Sequence, residues 1–244
     1  MQNITPSLAI VLVRPKLAEN IGAVARAMIN FGAKDLRLVK PAKYDKKTAY
    51  VVACDGKKVL DKAKIFTTLK AALADCSFTI GTSRRLRSIK IPTLNPEQSV
   101  EKLISLSNYQ TTALVFGSAR TGLTNQELFL CDAMSSITTT EKGSLNLSQA
   151  VLLYLNEWFK TLFQPKSNIT KKPLLATHKE KQICYDIIEK LLYQSGYKPI
   201  AKLPEFTRKV KLLFEDRPLT SREQKILLKL LRYLEKINHS KLSS

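Results

Sequence analysis

The stretch ALVFGSARTGLTNQEL, Ala113 to Leu128, carries a strand, a tight loop and a helix start in immediate succession. The run ALVF has no polar alternation and reads as a strand covered on both faces, the kind a parallel sheet requires. Gly117 and Gly122 then fall in one short loop, in a chain that has only eight glycines. That placement points to a backbone that must approach a ligand, with a plain strand-to-helix turn as the competing reading. Thr124 and Glu127 have the spacing of a capping box, so a helix is expected to open there.

Outward from this stretch the same grammar repeats. Residues 8–13 (LAIVLV), 36–39 and 78–80 read as further buried strands, and a helix is expected over 21–31. Asn95-Pro96 opens another helix, because asparagine caps and proline suits the first turn. An apolar-rich helix is expected over 146–163. Strands separated by helices define an α/β fold with a mostly parallel sheet. The character changes after residue 163. Residues 164–176, with Pro165, Pro173 and several lysines, read as a linker. Residues 177–244 read as a small all-helical domain with no strand. Thr177 with Glu180 and Thr220 with Glu223 repeat the capping-box spacing, and Ile226, Leu227, Leu230, Leu231 and Leu234 have helical period between basic residues. The expected organisation is an α/β domain over 1–163, a linker over 164–176 and a basic helical domain over 177–244.

Forty Lys and Arg against twenty Asp and Glu give a net charge of +20. Such a surplus favours a polyanionic partner, RNA or DNA, through phosphate attraction and counterion release. Residues 1–163 and 164–244 each carry +10, so the shorter part is the denser. Cys54, Cys76, Cys131 and Cys184 are far apart with no nearby histidine, and His178 and His239 both lie late in the chain. No metal cluster and no disulfide framework is expected; buried free thiols are. The first apolar run is too short for a signal core or a membrane span, so a cytoplasmic protein with no membrane partner is expected.

Three further clusters follow strands or open helices, where open α/β sheets bind ligands. Asn20-Ile-Gly-Ala-Val-Ala-Arg26 leads to Asn30-Phe-Gly32. Gly22 permits close backbone approach, and Arg26 can clamp a phosphate with its fork or simply be a surface arginine. Ser144-Leu-Asn-Leu-Ser148 can hold carboxylate or amide groups at a helix start, or serve only as a cap. Gly81-Thr-Ser-Arg-Arg-Leu-Arg-Ser-Ile-Lys90 packs Arg84, Arg85, Arg87 and Lys90 together and reads as a phosphate contact. The chain contains no G-x-G-x-x-G, no phosphate-binding P-loop and no nucleophile elbow.

In order, these clusters resemble the three motifs of the SpoU–TrmH (SPOUT) family of RNA 2′-O-methyltransferases. The matches are N-x-G-x-x-x-R…N-F-G from Asn20 to Gly32, the strand-ending glycine with x-x-R-T-G-L-T-N-x-E-L from Gly117 to Leu128, and S-L-N-L-x-x-A from Ser144 to Ala150. The helical tail is similar to the TrmJ-type tRNA (cytidine/uridine-2′-O-)-methyltransferase branch at Pro173-Leu-Leu-Ala-Thr177 and Leu219-Thr-Ser-Arg-Glu223. The resemblance implies a trefoil knot toward the C-terminal side of the α/β domain, against the usual rule that chains are unknotted. It implies S-adenosylmethionine as methyl donor, held by Thr82, Ser83, Arg84, Gly117, Ile137, Ser144, Leu145 and Asn146. It implies catalytic roles for Arg26, Asn20, Ser144 and Asn146, in a homodimer whose active site is completed across the interface. Arg84, Arg85, Arg87 and Arg120 are the expected RNA contacts. The implied substrate is a ribose 2′-hydroxyl of tRNA at the first nucleotide of the anticodon loop. Ribosomal RNA, or RNA binding without catalysis, are the competing expectations. The chain departs from the family pattern at Ala119, where a glutamate is usual, at Ser118, where arginine is frequent, and over residues 138–142, which lack a proline-rich form.

Overall fold

A computed structural model describes residues 7–42, 44–84, 93–107, 110–140, 143–163, 173–197, 203–212 and 218–242. The chain divides into two compact units, Met1–Lys172 and Pro173–Ser244. Residues 164–172 of the expected linker lie outside the described residues.

The first unit is built on a seven-stranded parallel sheet. Its strands are β1 (Ser7–Val13), β2 (Asp35–Val39), β3 (Lys64–Phe66), β4 (Phe78–Thr82), β5 (Thr93–Leu94), β6 (Thr111–Phe116) and β7 (Ala133–Ser135), in the order β3-β2-β1-β6-β4-β7-β5. The helices are α1 (Ala18–Asn30), α2 (Lys46–Ala53), α3 (Lys57–Asp61), α4 (Leu69–Ala72), α5 (Pro96–Ser107), α6 (Asn125–Leu128) and α7 (Leu147–Phe163). Successive side chains of a strand point to opposite faces, so an unbroken apolar run needs cover on both. The structure supplies it. Leu8, Ile10 and Leu12 pack with Ile21, Met28, Leu103, Val151 and Trp158 of α1, α5 and α7. Ala9, Val11 and Val13 share the opposite core with Leu69, Leu73, Leu123 and Leu128.

Strands β1, β2, β4 and β6 stand where the apolar runs are. Strands β3, β5 and β7 have no counterpart among the expectations; they are too short to show a period. Helix α1 opens at Ala18, ahead of the expected residue 21, with Leu17 at its cap and no side-chain cap bond. Gly22 therefore lies inside the helix. A Cβ there would stand 2.3 Å from the Ala49 carbonyl oxygen, so this glycine admits α2 and not a phosphate. The cap signals hold in detail. Asn95 accepts from the Gln98 N–H at 2.8 Å while Gln98 accepts from the Asn95 N–H at 3.1 Å. The Thr124 and Glu127 box is reciprocal in the same way. Cys76, Cys131 and Cys184 are buried free thiols, but Cys54 is exposed, in the turn that ends α2.

Among the described residues the most deeply buried charge is Arg37 on β2, whose side chain is 2% exposed. Its guanidinium reaches Asp35 at 2.6 Å, Asp75 at 2.9 Å and the Ala72 carbonyl at 2.6 Å, tying β2 to the end of α4. Burial alone would lower its pKa; the hydrogen bonds to Asp75 and Asp35 outweigh burial and raise it. Burial pushes the Asp75 carboxyl up, and the Arg37 hydrogen bond and charge more than reverse that, holding it below the usual range. Arg37→Met is expected to cost about 2–4 kcal/mol, because three acceptors lose their donor while two carboxylates keep some water. Thermal unfolding would read this as a fall of roughly 5–15 °C in Tm. A depressed carboxylate stabilises fully above its unfolded pKa of about 3.9 and loses that contribution as pH falls through the folded value. The gap between wild type and variant is therefore expected to narrow below about pH 4. An equal Tm for the two proteins at neutral pH would defeat this account.

The second unit contains α8 (His178–Gln194), α9 (Leu203–Leu212) and α10 (Ser221–Leu242), with no named strand among the described residues. Residues 174–176 and 219–221 pair antiparallel, through Ala176 N–H to the Leu219 carbonyl and Ser221 N–H to the Leu174 carbonyl. This sets the two helix starts side by side. Thr177 caps Glu180 and Thr220 caps Glu223, each reciprocally. Gln224 donates to the Glu180 carbonyl at 2.9 Å, fixing the register of α10 on α8.

Candidate functional site

Strands β6, β4 and β7 lie next to one another and end together. Their carboxyl ends deliver Phe116, Thr82 and Ser135 to one cavity of about 210 Å³. Sheet order, not sequence order, makes this neighbourhood: β6 pairs with β4 although many residues separate them, and β7 pairs with β4 from the other side. The Thr82 hydroxyl donates to the Val115 carbonyl at 3.0 Å, pinning the two strand ends.

Three segments wall the cavity. The first is Thr82, Ser83 and Arg84 after β4; the second is the loop Gly117 to Gly122 after β6; the third brings Ile137, Thr139, Ser144 and Leu145 from between β7 and α7. The loop is folded tightly on itself. Ser118 and Gly122 form a backbone bridge, with Gly122 N–H donating to the Ser118 carbonyl at 2.8 Å. Gly122 has φ 66°, the left-handed region that favours glycine. A Cβ on Gly117 would lie 2.1 Å from the carbonyl carbon of Gly122, so this position accepts no larger residue in the observed shape. The Ser118 and Thr121 hydroxyls pair at 2.8 Å within the loop, whereas Ala119 and Arg120 are exposed.

The floor is a chain of buried hydroxyls. Tyr154 of α7 donates to Ser135 at 2.7 Å, Ser135 donates to the Leu94 carbonyl at 3.0 Å, and Ser99 donates to Ser135 at 2.7 Å. Burial pushes the Tyr154 phenol up to about 12, only partly offset by the Ser135 hydrogen bond, so it remains an O–H donor near neutral pH. Its ring meets Phe116 edge-on at 5.5 Å.

Most of the residues expected from the sequence to bind a cofactor meet here: Thr82, Ser83, Arg84, Gly117, Ile137, Ser144 and Leu145 line the cavity, as does Arg120. Asn146 stands just beyond the wall. Its carbonyl oxygen accepts from the Ser148 N–H at 2.8 Å, the capping role, while its amide donates to Asn20 of α1 at 3.1 Å. The cap and the link to the first motif are thus one side chain. Asn20 is buried, but Arg26, further along α1, is exposed and not part of the cavity wall. Arg85 and Arg87 lie outside the described residues. Sequence reasoning missed Ser135, Tyr154, Phe116 and Thr139. Ser135 sits in a strand of three residues, and Tyr154 reads as one more core position of an apolar helix.

Residues 7–156 match the SpoU rRNA Methylase family. Over 244 aligned residues the chain is 32% identical to the tRNA (cytidine/uridine-2′-O-)-methyltransferase TrmJ of Klebsiella pneumoniae, covering 96% of this chain and 99% of that protein. It is 38% identical over 166 residues to LasT of Escherichia coli, described as an uncharacterized tRNA/rRNA methyltransferase, covering 67% of this chain and 73% of that one. The crystal structure of TrmJ from Z. mobilis ZM4 superposes with a TM-score of 0.81 at 33% identity, covering 95% of this chain and 99% of the other.

Proposed function

The chain belongs to the SpoU methylase family, and we propose from that membership that it transfers a methyl group from S-adenosylmethionine to a ribose 2′-hydroxyl of tRNA. The observation that carries the reading is the convergence of three separated segments on one set of strand ends, with Asn146 tying the last of them to Asn20 of α1. The choice of tRNA rests on likeness along nearly the whole chain, second unit included, to enzymes named for tRNA. The match to the family named for rRNA stops at residue 156.

The residues present suit the cofactor. Gly117 lets the loop close against its own Gly122 backbone and so sets the shape of the wall, and the lining mixes hydroxyls with apolar groups, as a nucleoside carrying an aliphatic arm requires. In this reading Thr82, Ser83, Arg84, Gly117, Ile137, Ser144, Leu145 and Asn146 hold it. The bound cofactor supplies an electrophilic methyl carbon on a sulfonium. The chain's own task is to present the ribose oxygen and relieve its charge. Arginine is a poor base, because its guanidinium holds its proton in proteins. Arg26 instead pins the adjacent phosphate with its fork and stabilises negative charge developing on the 2′-oxygen. Asn20 and Asn146 orient this corner, and a phosphate oxygen or Ser144 Oγ takes up the hydroxyl proton and passes it to solvent water. Holding the reactants in place can supply about 7–11 kcal/mol in favourable cases.

Arg26 stands away from the cavity, which fits a homodimer in which a partner completes each site. Exposed apolar residues support such an interface: Leu152, Leu153, Phe159 and Phe163 of α7 remain uncovered, and Phe159 meets Phe31, just past the end of α1, at 5.8 Å. A trefoil knot is supported by the position of β7. It lies between β4 and β5, although those two strands precede it and are already joined through residues 83–92. The exposed Arg84 and Arg120 at the cavity rim, with Arg85 and Arg87, meet RNA phosphates in this reading. On α10 the exposed Arg222, Lys225, Lys229, Arg232 and Lys236 flank the exposed ring of Tyr233, a surface that suits the tRNA body. The modified residue is a cytidine or uridine at the first nucleotide of the anticodon loop, and the enzyme works in the cytoplasm. No helix among the described residues is long and apolar enough to cross a membrane.

Incubation of the protein with a tRNA pool and, in parallel, with ribosomal RNA, each with methyl-labelled cofactor, tests the reading. Label is expected on a ribose of the anticodon loop. Label entering only ribosomal RNA would change the substrate, and no cofactor binding by calorimetry would end the enzyme reading.

A further inference from the structure

Arg14 stands where β1 leaves the sheet, with φ 51°, in the left-handed region. A side-chain-bearing residue held in such a conformation costs of order 1–3 kcal/mol, so neighbouring contacts must compensate. Its N–H reaches the last carbonyl of β2, that of Val39, at 2.8 Å. The side chain then crosses to the glycine loop. Its guanidinium makes a two-pronged ion pair with Glu127, Nη2 to Oε2 at 3.0 Å, and Nη2 also donates to the Gly122 carbonyl at 3.4 Å.

Glu127 has a second task. Its Oε2 accepts from the Thr124 N–H at 2.7 Å, and its own N–H donates to Thr124 Oγ1 at 3.2 Å. One carboxylate is thus shared between the cap of α6 and the fork of Arg14. Gly122, the other end of the contact, bonds back to Ser118 at 2.8 Å and packs against Gly117. Contacts run without a gap from Arg14 through Glu127 and Gly122 to the backbone that walls the cavity. Arg14 itself is not part of the lining.

We propose that Arg14 is a positioning residue for the methyl donor: through Glu127 and Gly122 it holds the loop from Gly117 to Gly122 in the shape that admits the cofactor. The proposal rests on the reading of the cavity as the cofactor site. Preorganisation of this kind acts on binding of the ligand that the loop touches, and much less on the chemistry once that ligand is bound.

The test is calorimetry with S-adenosylhomocysteine, together with steady-state methylation, on the full-length wild type, Arg14→Met, Arg14→Lys, Glu127→Gln and the Met/Gln double variant. Arg14→Met is expected to weaken cofactor binding about tenfold and raise the cofactor KM to match, with kcat at saturation within about threefold of wild type. The KM for tRNA is expected to stay put. Arg14→Lys recovers part of the loss, since it keeps a charged donor but not the fork. Glu127→Gln still accepts from the Thr124 N–H, so it should match Arg14→Met, and the double variant should be no worse than either. Unchanged affinity in Arg14→Met, additive losses in the double variant, or kcat falling as far as affinity would overturn the proposal. Should Arg14→Met fail to fold, unchanged affinity in both Arg14→Lys and Glu127→Gln would overturn it equally. Absence of binding by wild type would defeat the reading of the cavity, whereas binding by wild type and all variants alike would defeat only the role of Arg14.

Discussion

Arg26→Ala is expected to lower kcat/KM for tRNA methylation by about 10²–10³-fold, the scale of losing one donor aimed at developing negative charge. Cofactor affinity should stay within about twofold, because Arg26 is absent from the cavity wall while Thr82, Gly117 and Ser144 form it. The side chain is exposed on α1 and its removal empties no core, so the loss should come without a fall in Tm. Arg26→Lys separates charge from geometry. A lysine keeps the cation but cannot grip a phosphate with two parallel bonds, so it should recover only a minor part of the rate. Full methyl transfer by the lysine variant would rule out the bidentate clamp. Mixing Arg26→Ala protomers with protomers disabled in cofactor binding checks the dimer reading. If the arginine acts across the interface, some mixed dimers regain one working site; if it acts within its own chain, the mixture recovers no site on that account.

Gly117→Ala is expected to weaken cofactor binding about ten- to a hundredfold, the scale of the ~1–3 kcal/mol that an extra methyl costs in a packed place at about 1.4 kcal/mol per tenfold. An added methyl would meet the Gly122 carbonyl carbon at 2.1 Å and the Leu123 nitrogen at 2.2 Å. Those atoms are backbone, so no flexible side chain can yield. The loop must open, and the hydrogen bond from Gly122 to Ser118 and the contact from Arg14 to Gly122 go with it. Overpacking of this kind also costs about 1–3 kcal/mol of stability. Calorimetry and thermal unfolding on the same sample separate the two effects: a Tm shift with intact cofactor affinity would mean that the loop is structural and not part of the site.

The capping boxes show what is legible locally. Asn95, Thr124, Thr177 and Thr220 each open a helix where their side chains and the residue three positions on predict. The logic is short-range: donor and acceptor are close along the chain, so sequence spacing fixes the geometry. The buried strands are legible for a related reason, since a continuous apolar run is compatible only with cover on both faces. Gly22 shows the limit. Sequence marks it as a place of close approach, but the approaching group is the Ala49 carbonyl of α2. Only the packing of two helices says so.

Sequence by itself determined an α/β unit followed by a basic helical one, the surplus of positive charge, and the segments that contribute much of the cavity wall. Motif order told which segments matter because chemistry restricts residue type locally. Tertiary structure alone decided the strand order, the short β7 between β4 and β5, the hydroxyl floor of Ser99, Ser135 and Tyr154, and the reach of Arg14 to Glu127. These depend on contacts between residues far apart in the chain. Their free energies exist only after the sheet has assembled, and no local period or spacing encodes them.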